Sequence, residues 1–171
     1  MRYLFMTAIM TVALVTGSGA KRVGNVIACE LAHRGYRIAL HARSSHASAQ
    51  ATADELRTLG TDVEVFGGDL ADESQAHGLI NAVHARFGRI DVLVNAAAIW
   101  SPKPLEEVTA ADVQQNFAVN TLSTFLCSQH AGLLMVQQPT GGVIINLGDW
   151  AIARPYLNYA AYFPSKGAIP T

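Results

Sequence analysis

The sequence predicts an α/β fold in which a doubly wound parallel sheet carries helices on both faces. Short, continuously apolar runs (VALVT, DVLVN, VIINL) alternate with longer segments of helical period, and glycines stand where those segments stop. Strands covered on both faces read as unbroken apolar runs, whereas a strand with one wet face alternates apolar and polar residues. With 171 residues, 50% of them hydrophobic, the chain suffices for one domain over residues 1–171 with a sizeable core.

The elements follow one another as repeated βα units. Short β-branched runs predict five strands, at residues 11–16, 36–42, 62–66, 90–95 and 143–147. Apolar residues at helical spacing predict four helices and the start of a fifth, at 23–33, 47–59, 73–87, 110–138 and 156–167. Right-handed crossovers between such units place a ligand crevice at the carboxyl ends of the strands.

Composition excludes several classes of protein. Twelve Lys and Arg against thirteen Asp and Glu leave a formal charge of −1, so nucleic acid is not expected as a partner. Cys29 and Cys127 lie far apart, and no histidine has a carboxylate or Cys partner at ligand spacing, so neither a disulfide framework nor a metal site is predicted. The apolar opening, residues 1–15, resembles a weak signal peptide but is too short to span a bilayer. We expect a cytoplasmic protein without a membrane segment.

A glycine-rich turn follows the first predicted strand, at residues 16–24 (TGSGAKRVG). Glycine at a strand-to-helix turn lets backbone N–H groups approach a pyrophosphate, and the following helix N-terminus adds its dipole. Gly17, Arg22 and Val23 are therefore predicted to bind a dinucleotide. A tight turn with no ligand is the alternative interpretation.

The end of the second strand indicates which dinucleotide is bound. An acidic residue there binds ribose hydroxyls, whereas a basic residue accommodates a 2′-phosphate. The chain has no carboxylate there; it has His41, Arg43 and Ser44, and Lys21 adds a second cation nearby. These residues predict NADP(H), with an ordinary surface role for Arg43 as the alternative.

Further candidates follow the third and fourth strands. Asp69 and Leu70 lie where an adenine amine would meet a carboxylate, although Asp69 would equally serve as the N-cap of the next helix. Asn95 ends the fourth strand before three alanines, which let a cofactor lie close to the backbone. Trp100 offers a stacking face for a flat ligand, or alternatively packs on the surface or at an interface.

Tyr162 and Lys166 form the most specific pattern. At a spacing of i,i+4 on a helix they share one face, and an ammonium beside a phenol lowers the pKa of the phenol. A tyrosine tuned in this way passes a proton to a substrate while a hydride arrives from the cofactor.

Taken together, the glycine turn, GDL, VNAAA, FAVNT and Tyr-x-x-x-Lys resemble the short-chain dehydrogenase/reductase family. The resemblance implies a Rossmann-like sheet, NAD(P)(H) and a homo-oligomer. It implies that Tyr162 is the proton donor, that Lys166 tunes Tyr162 and holds the nicotinamide ribose, and that Asn120 supports a proton-relay water. The family's usual serine thirteen residues before the tyrosine is replaced here by Asp149.

This departure resembles the pteridine-reductase branch of the family, which reduces dihydropteridines or dihydrofolate with NADPH. The resemblance implies that Asp149 acts with Tyr162 in protonating the pterin, that Trp100 stacks on it, and that Arg22 lies near the phosphates and the pterin. A generic carbonyl or 3-oxoacyl reductase and a non-catalytic dinucleotide-binding fragment are the alternatives. Because family members continue beyond the lysine helix, we expect the fold to be incomplete at its C-terminus, without the family's last strands and substrate loop.

Overall fold

The computed structural model describes residues 10–170 and contains one five-stranded sheet among them. All strand pairs are parallel, and the strands lie in the order β3-β2-β1-β4-β5. Their bounds are Val12–Val15 (β1), Arg37–Ala42 (β2), Val63–Gly67 (β3), Val92–Asn95 (β4) and Val143–Asn146 (β5). The predicted doubly wound parallel sheet is therefore confirmed.

Helices cover both faces of this sheet. Their bounds are Val23–His33 (α1), His46–Thr58 (α2), Glu73–Phe87 (α3), Ala110–Asn116 (α4), Ser123–Met135 (α5) and Tyr162–Gly167 (α6). Leu14 belongs to a core shared with α3 and α5, whereas its neighbour Val15 belongs to a core shared with α1 and α2. Successive strand residues point to opposite faces and both faces are buried, which explains the continuously apolar run.

The predicted element positions are largely confirmed. The helix predicted at 73–87 has those bounds, and it ends at Gly88, whose φ of 78° is left-handed. The apolar opening run enters the sheet at Val12, while residues 1–9 of that run lie outside the described residues. Among residues 10–170, no helix combines the length and the apolar character needed to cross a membrane.

The single helix predicted at 110–138 is wrong in detail. Residues Phe117–Leu122 form a π-helical segment between α4 and α5, and α5 ends at Met135. Isolated π turns inside longer helices are frequent at functional sites. Asn120 lies in this segment with a fully buried side chain, bonded to groups on neighbouring elements. The spacing of apolar residues along the sequence does not indicate such hydrogen bonds between distant residues, so the π-helical segment was not predicted.

The helix predicted to begin at residue 156 begins instead at Tyr162. Asn158, with a φ of 69°, adopts a left-handed conformation that helices exclude. Its carbonyl accepts a hydrogen bond of 2.7 Å from the backbone N–H of Lys103. The segment before α6 is thus a loop tied to the connection that follows β4.

Candidate functional site

A cavity of about 510 Å³ opens beyond the carboxyl ends of the sheet's strands. It is lined by eight of the predicted cofactor-binding residues and by the predicted substrate residue Trp100; the eight are Gly17, Arg22, Val23, His41, Arg43, Ser44, Asp69 and Leu70. Three predicted cofactor-binding residues, Lys21, Asn95 and Lys166, do not line it. The structure therefore brings together residues from the ends of β1, β2, β3 and β4, as the doubly wound topology requires.

The glycine turn forms one wall of the cavity. Gly17 has a φ of 66°, and a Cβ added there would lie 2.6 Å from the Cα of Ala97. A Cβ at Gly24 would lie 2.9 Å from the carbonyl oxygen of Gly17. The turn therefore accepts only glycine at these two positions, because backbone segments approach each other directly there.

The N-terminus of α1 opens onto the same wall. Val23 and Gly24 line the cavity, no side chain caps the helix, and its first turn has no acidic residue. The leading N–H groups of a helix have no partner within the helix, and the helix dipole favours an anion there. This arrangement fits a pyrophosphate, as the sequence predicts.

Buried polar side chains hold the glycine turn in place. The Ser18 hydroxyl donates to the carbonyl of Val15 at 2.7 Å and accepts from the backbone N–H of His41 at 3.0 Å. The Asn25 amide donates to the Ser18 carbonyl and to the Thr52 hydroxyl, both at 3.0 Å. Sequence reasoning missed Ser18, Asn25 and Thr52, although a polar residue on the buried face of an apolar helix is a signal for such a role.

Arg43 and Asp69 both line the cavity and lie close to each other. The closest guanidinium nitrogen and carboxylate oxygen are 3.8 Å apart, and both side chains are nearly half exposed. Such an exposed pair contributes little binding energy, so Arg43 remains available to a ligand phosphate. The alternative in which Asp69 caps the next helix is wrong, because Asp72 is the N-cap of α3 and accepts from the N–H of Gln75 at 3.0 Å.

Asn95 joins structural elements at the end of β4. Its amide donates to the hydroxyl of Ser128 and to the side-chain oxygen of Asn146, both at 2.9 Å. These bonds tie β4 to β5 and α5. The alanines after it, by contrast, line the cavity, and the N–H groups of Ala96 and Ala97 donate to the Thr16 hydroxyl at 3.0 and 3.1 Å.

The structure brings Asp149 and Tyr162 together. The phenol of Tyr162 donates to the Asp149 carboxylate at 2.6 Å, and the same carboxylate accepts from the N–H of Ala151 at 2.9 Å. Burial and this carboxylate raise the pKa of Tyr162, because both disfavour the phenolate. The expectation of a lowered pKa is therefore wrong for this arrangement.

The buried side chain of Lys166 bonds to the backbone just after β5. Its ammonium donates to the carbonyl of Leu147 at 2.8 Å, and only 4% of the residue is exposed. Burial lowers the pKa of Lys166, and the charge of Asp149 opposes this effect. The lysine thus fixes α6 against the end of the strand that precedes Asp149.

Asn120 connects three elements near this pair. Its side-chain oxygen accepts from the N–H of Ile99 at 2.8 Å, and its amide donates to the Ile99 carbonyl at 3.2 Å and to the Ser165 hydroxyl at 3.0 Å. Ser165, which sequence reasoning missed, lies between Tyr162 and Lys166 and is fully buried. Asn120 therefore positions α6 against the connection after β4 that carries Trp100.

Aromatic rings link the cavity to the tyrosine. Trp100 stacks on Tyr159, with ring centroids 5.1 Å apart and planes 13° apart. Tyr159 in turn meets Tyr162 edge-on, with centroids 6.3 Å apart. Trp100 is 54% exposed and lines the cavity, so it both packs on a neighbour and borders the space for a ligand.

The fold and the cavity define a dinucleotide-binding α/β protein. Within residues 10–170, no group of three or more His, Cys, Asp or Glu side chains is arranged to hold a metal ion. The sequence profile of the family described as short chain dehydrogenase matches residues 11–171, and the chain belongs to that family.

Individual relatives agree with this assignment. The chain is 37% identical over 159 residues to D-threitol dehydrogenase of Mycolicibacterium smegmatis, covering 91% of the chain and 58% of the relative. It is 34% identical over 158 residues to hydroxynaphthalene reductase arp2 of Aspergillus fumigatus, covering 92% and 56%. A crystal structure of a short chain dehydrogenase from Burkholderia cenocepacia in complex with NADP superposes with a TM-score of 0.86 at 30% identity, covering 92% of the chain and 63% of that structure. The chain thus spans about three-fifths of the length of the proteins it matches.

Proposed function

We propose that the chain is the cofactor-binding and proton-donating part of an NADPH-dependent reductase of the short-chain type. The observation that carries this proposal is the hydrogen bond between Tyr162 and Asp149, connected through Tyr159 and Trp100 to the cavity. A proton donor and a dinucleotide cavity are the two parts that a hydride-transfer reduction needs. We further propose a small-molecule substrate, a cytoplasmic location and a homo-oligomer for the whole protein.

The residues of the cavity fit NADP(H). Gly17, Arg22 and Val23 would hold the pyrophosphate at the open N-terminus of α1. Arg43 and Ser44 would bind a 2′-phosphate by charge-assisted hydrogen bonds. The bound NADP of the Burkholderia cenocepacia relative supports this choice. When bound, the cofactor supplies the hydride.

The remaining predicted cofactor residues divide into two groups. We propose that His41, Asp69 and Leu70 border the adenosine, since they line the cavity. Lys166 would approach the nicotinamide ribose from the end of β5. The side chain of Asn95 would act indirectly by holding β4, and Lys21 would contribute charge from outside the lining.

The phenol of Tyr162 is in the protonated form that a proton donor needs. A phenol with a raised pKa keeps its proton at neutral pH and is therefore able to donate it to a substrate atom as hydride arrives. Asp149 orients the phenol through the 2.6 Å bond and is itself held by the N–H of Ala151. We propose that Tyr162 and Asp149 deliver the proton together, while Asn120 holds the helix that carries the tyrosine.

For the substrate we propose a pteridine-like compound. Tyr159 supports Trp100 from behind, and the cavity-facing ring of Trp100 offers a flat surface on which a bicyclic ring would stack. The hydroxynaphthalene reductase relative, which is named for a flat bicyclic substrate, supports a planar ligand. D-threitol dehydrogenase favours the alternative, a generic reductase of small carbonyl compounds.

Replacing Tyr162 by Phe tests this proposal. We expect turnover of a dihydropteridine with NADPH to fall by about 10²–10⁴-fold, because the proton donor is removed, while NADPH affinity stays unchanged. The matched control Tyr36→Phe, far from the Tyr162–Asp149 pair, should leave the rate unchanged. Steady-state kinetics and NADPH fluorescence titration measure the two quantities.

Three outcomes separate the alternatives. An undiminished rate in the Tyr162→Phe variant would contradict the proposed mechanism. Reduction of acetoin or a 3-oxoacyl compound with no reduction of the dihydropteridine would identify the generic reductase. NADPH binding with no turnover of any of these substrates would identify a non-catalytic dinucleotide-binding chain.

A further inference from the structure

The imidazole of His41 connects the two glycine-containing loops that border the cavity. Its Nδ1 atom lies 3.1 Å from the backbone nitrogen of Gly17 in the glycine turn, and its Nε2 atom lies 3.0 Å from the carbonyl oxygen of Gly68 after β3. The residue is only 2% exposed. Its main chain also bonds to the glycine turn: its carbonyl accepts from the N–H groups of Ser18 and Gly19 at 3.0 and 3.2 Å, and its N–H donates to the Ser18 hydroxyl at 3.0 Å.

The two ring partners fix the tautomer of His41. The Gly17 nitrogen is a donor, so Nδ1 must accept and carry no proton. The Gly68 oxygen is an acceptor, so Nε2 must carry the proton and donate. The neutral ring therefore satisfies both loops, whereas a doubly protonated ring would present a second donor to the N–H of Gly17.

Gly17 is a tightly constrained position of the glycine turn. Its backbone is left-handed, and a Cβ added there would lie 2.6 Å from the Cα of Ala97, so the turn lies directly against the segment after β4. We propose that neutral His41 is a positioning residue, a clamp that holds the glycine turn and the loop after β3 in the geometry that binds the cofactor, and that protonation of Nδ1 releases this clamp.

The charged groups around His41 have opposite effects on its protonation. His46 lies at the start of α2 and disfavours a second positive charge, whereas Asp69 after β3 favours it. Arg43, on the other side of the carboxylate, is paired with Asp69 at 3.8 Å. Burial adds the largest effect and lowers the pKa of His41 below its ordinary value of 6.5, despite the bond to Gly68. The clamp is therefore intact at neutral pH and opens on the acid side.

The inference rests on the proposed binding of NADP(H), and its test is a binding experiment that needs no substrate. We would measure the affinity for NADP⁺ between pH 8 and pH 5 by calorimetry for the wild type, His41→Gln, His41→Leu and His33→Gln. Glutamine keeps one acceptor and one donor but does not titrate, leucine keeps bulk only, and His33 is an exposed control on α1. The ligand's own 2′-phosphate titrates equally in all four proteins, so it cancels in the comparison.

We expect the wild type and His33→Gln to lose affinity on acidification by about tenfold more than His41→Gln, whose affinity should change only with the ligand. His41→Leu should bind about tenfold more weakly at every pH, because the Gly17 N–H is left without its partner. A His46→Gln variant should keep an acid loss of the wild-type size, moved toward higher pH, since His46 is not part of the clamp but its charge disfavours protonation of His41. Equal pH profiles for the wild type and His41→Gln would overturn the inference.

A second readout separates this inference from the proposed function. ¹⁵N spectra of the ligand-free protein at pH 8 should show His41 protonated at Nε2 alone, and NADP⁺ should lower the pH at which the ring titrates, by reciprocal linkage. Protonation at Nδ1 in the neutral ring would refute the clamp. Absence of NADP⁺ binding at any pH, with the Nε2 tautomer present, would refute the proposed cofactor and leave the clamp's geometry standing.

Discussion

The nucleotide side and the tyrosine side of the site are built in different ways. On the nucleotide side, β1 is entirely buried and β2 nearly so, and backbone groups and glycines shape the cavity wall. On the tyrosine side, β5 is largely exposed, and individual side-chain bonds hold Tyr162 and the helix that carries it. Packing therefore fixes one half of the site, whereas a few polar contacts fix the other.

The two halves of the site should differ in which substitutions they tolerate. Shortening a side chain in a strand packed between two helix layers removes buried apolar surface and leaves a cavity, and both effects lower the free energy of unfolding. The same substitution in an exposed strand costs little. The contact of Tyr162 with Asp149, by contrast, is proposed to serve proton transfer, so we expect its loss to affect activity more than folding. Substitutions on the two sides should therefore separate stability from function.

The largest effect is expected from shortening a buried side chain in a central strand. Leu14→Ala in β1, where the side chain is fully buried, should lower the free energy of unfolding by about 2–5 kcal/mol. The matched change Ile145→Ala in β5, at 44% exposure, should cost about 1 kcal/mol or less. Urea denaturation of both variants measures the difference, and equal losses would show that the two strands contribute alike.

An intermediate effect is expected at the phosphate end of the cavity. Arg43→Ala should weaken NADPH binding by roughly 10–100-fold, because a charge-assisted bond to phosphate is removed. NADH, which lacks the 2′-phosphate, should bind with little change. Arg34→Ala, which removes an exposed Arg34–Glu30 pair on α1, is the control and should alter neither affinity. Equal losses for both cofactors would contradict the assigned role of Arg43.

The smallest effect is expected at the phenol itself. Asp149→Asn should bring the pKa of Tyr162 down toward the ordinary value of about 10, because the carboxylate that disfavours the phenolate is removed. A group with a raised native pKa stabilises the fold fully below the unfolded pKa and loses that contribution as pH rises, here above about 10. The variant should therefore lose less stability in alkali than the wild type.

Spectrophotometric titration of phenolate and thermal unfolding above pH 10 measure these two consequences. Because the chain has five tyrosines, the Tyr162→Phe protein supplies the baseline for the titration. An unchanged pKa of Tyr162 in Asp149→Asn would show that burial alone raises it.

Sequence reasoning located most of the fold, because local patterns encode it. Gly88 ends α3 where predicted, and β1 follows from an apolar run that only burial on both faces explains. Sequence reasoning failed where contacts between distant residues change the helix bounds that periodicity predicts. The π-helical turn at Asn120 depends on Ile99 and Ser165, and the late start of α6 depends on a bond from Lys103 to Asn158.

Residue type and local spacing were enough to predict the doubly wound sheet, the glycine turn and the residues gathered at the strand ends. How those residues interact with one another follows from the folded chain alone. It placed Asp149 on the phenol of Tyr162, turned Asn95 toward β5 and set the His41 ring between two loops. The physical reason is that hydrogen bonds and pKa values depend on distances across the fold, which chain spacing does not specify.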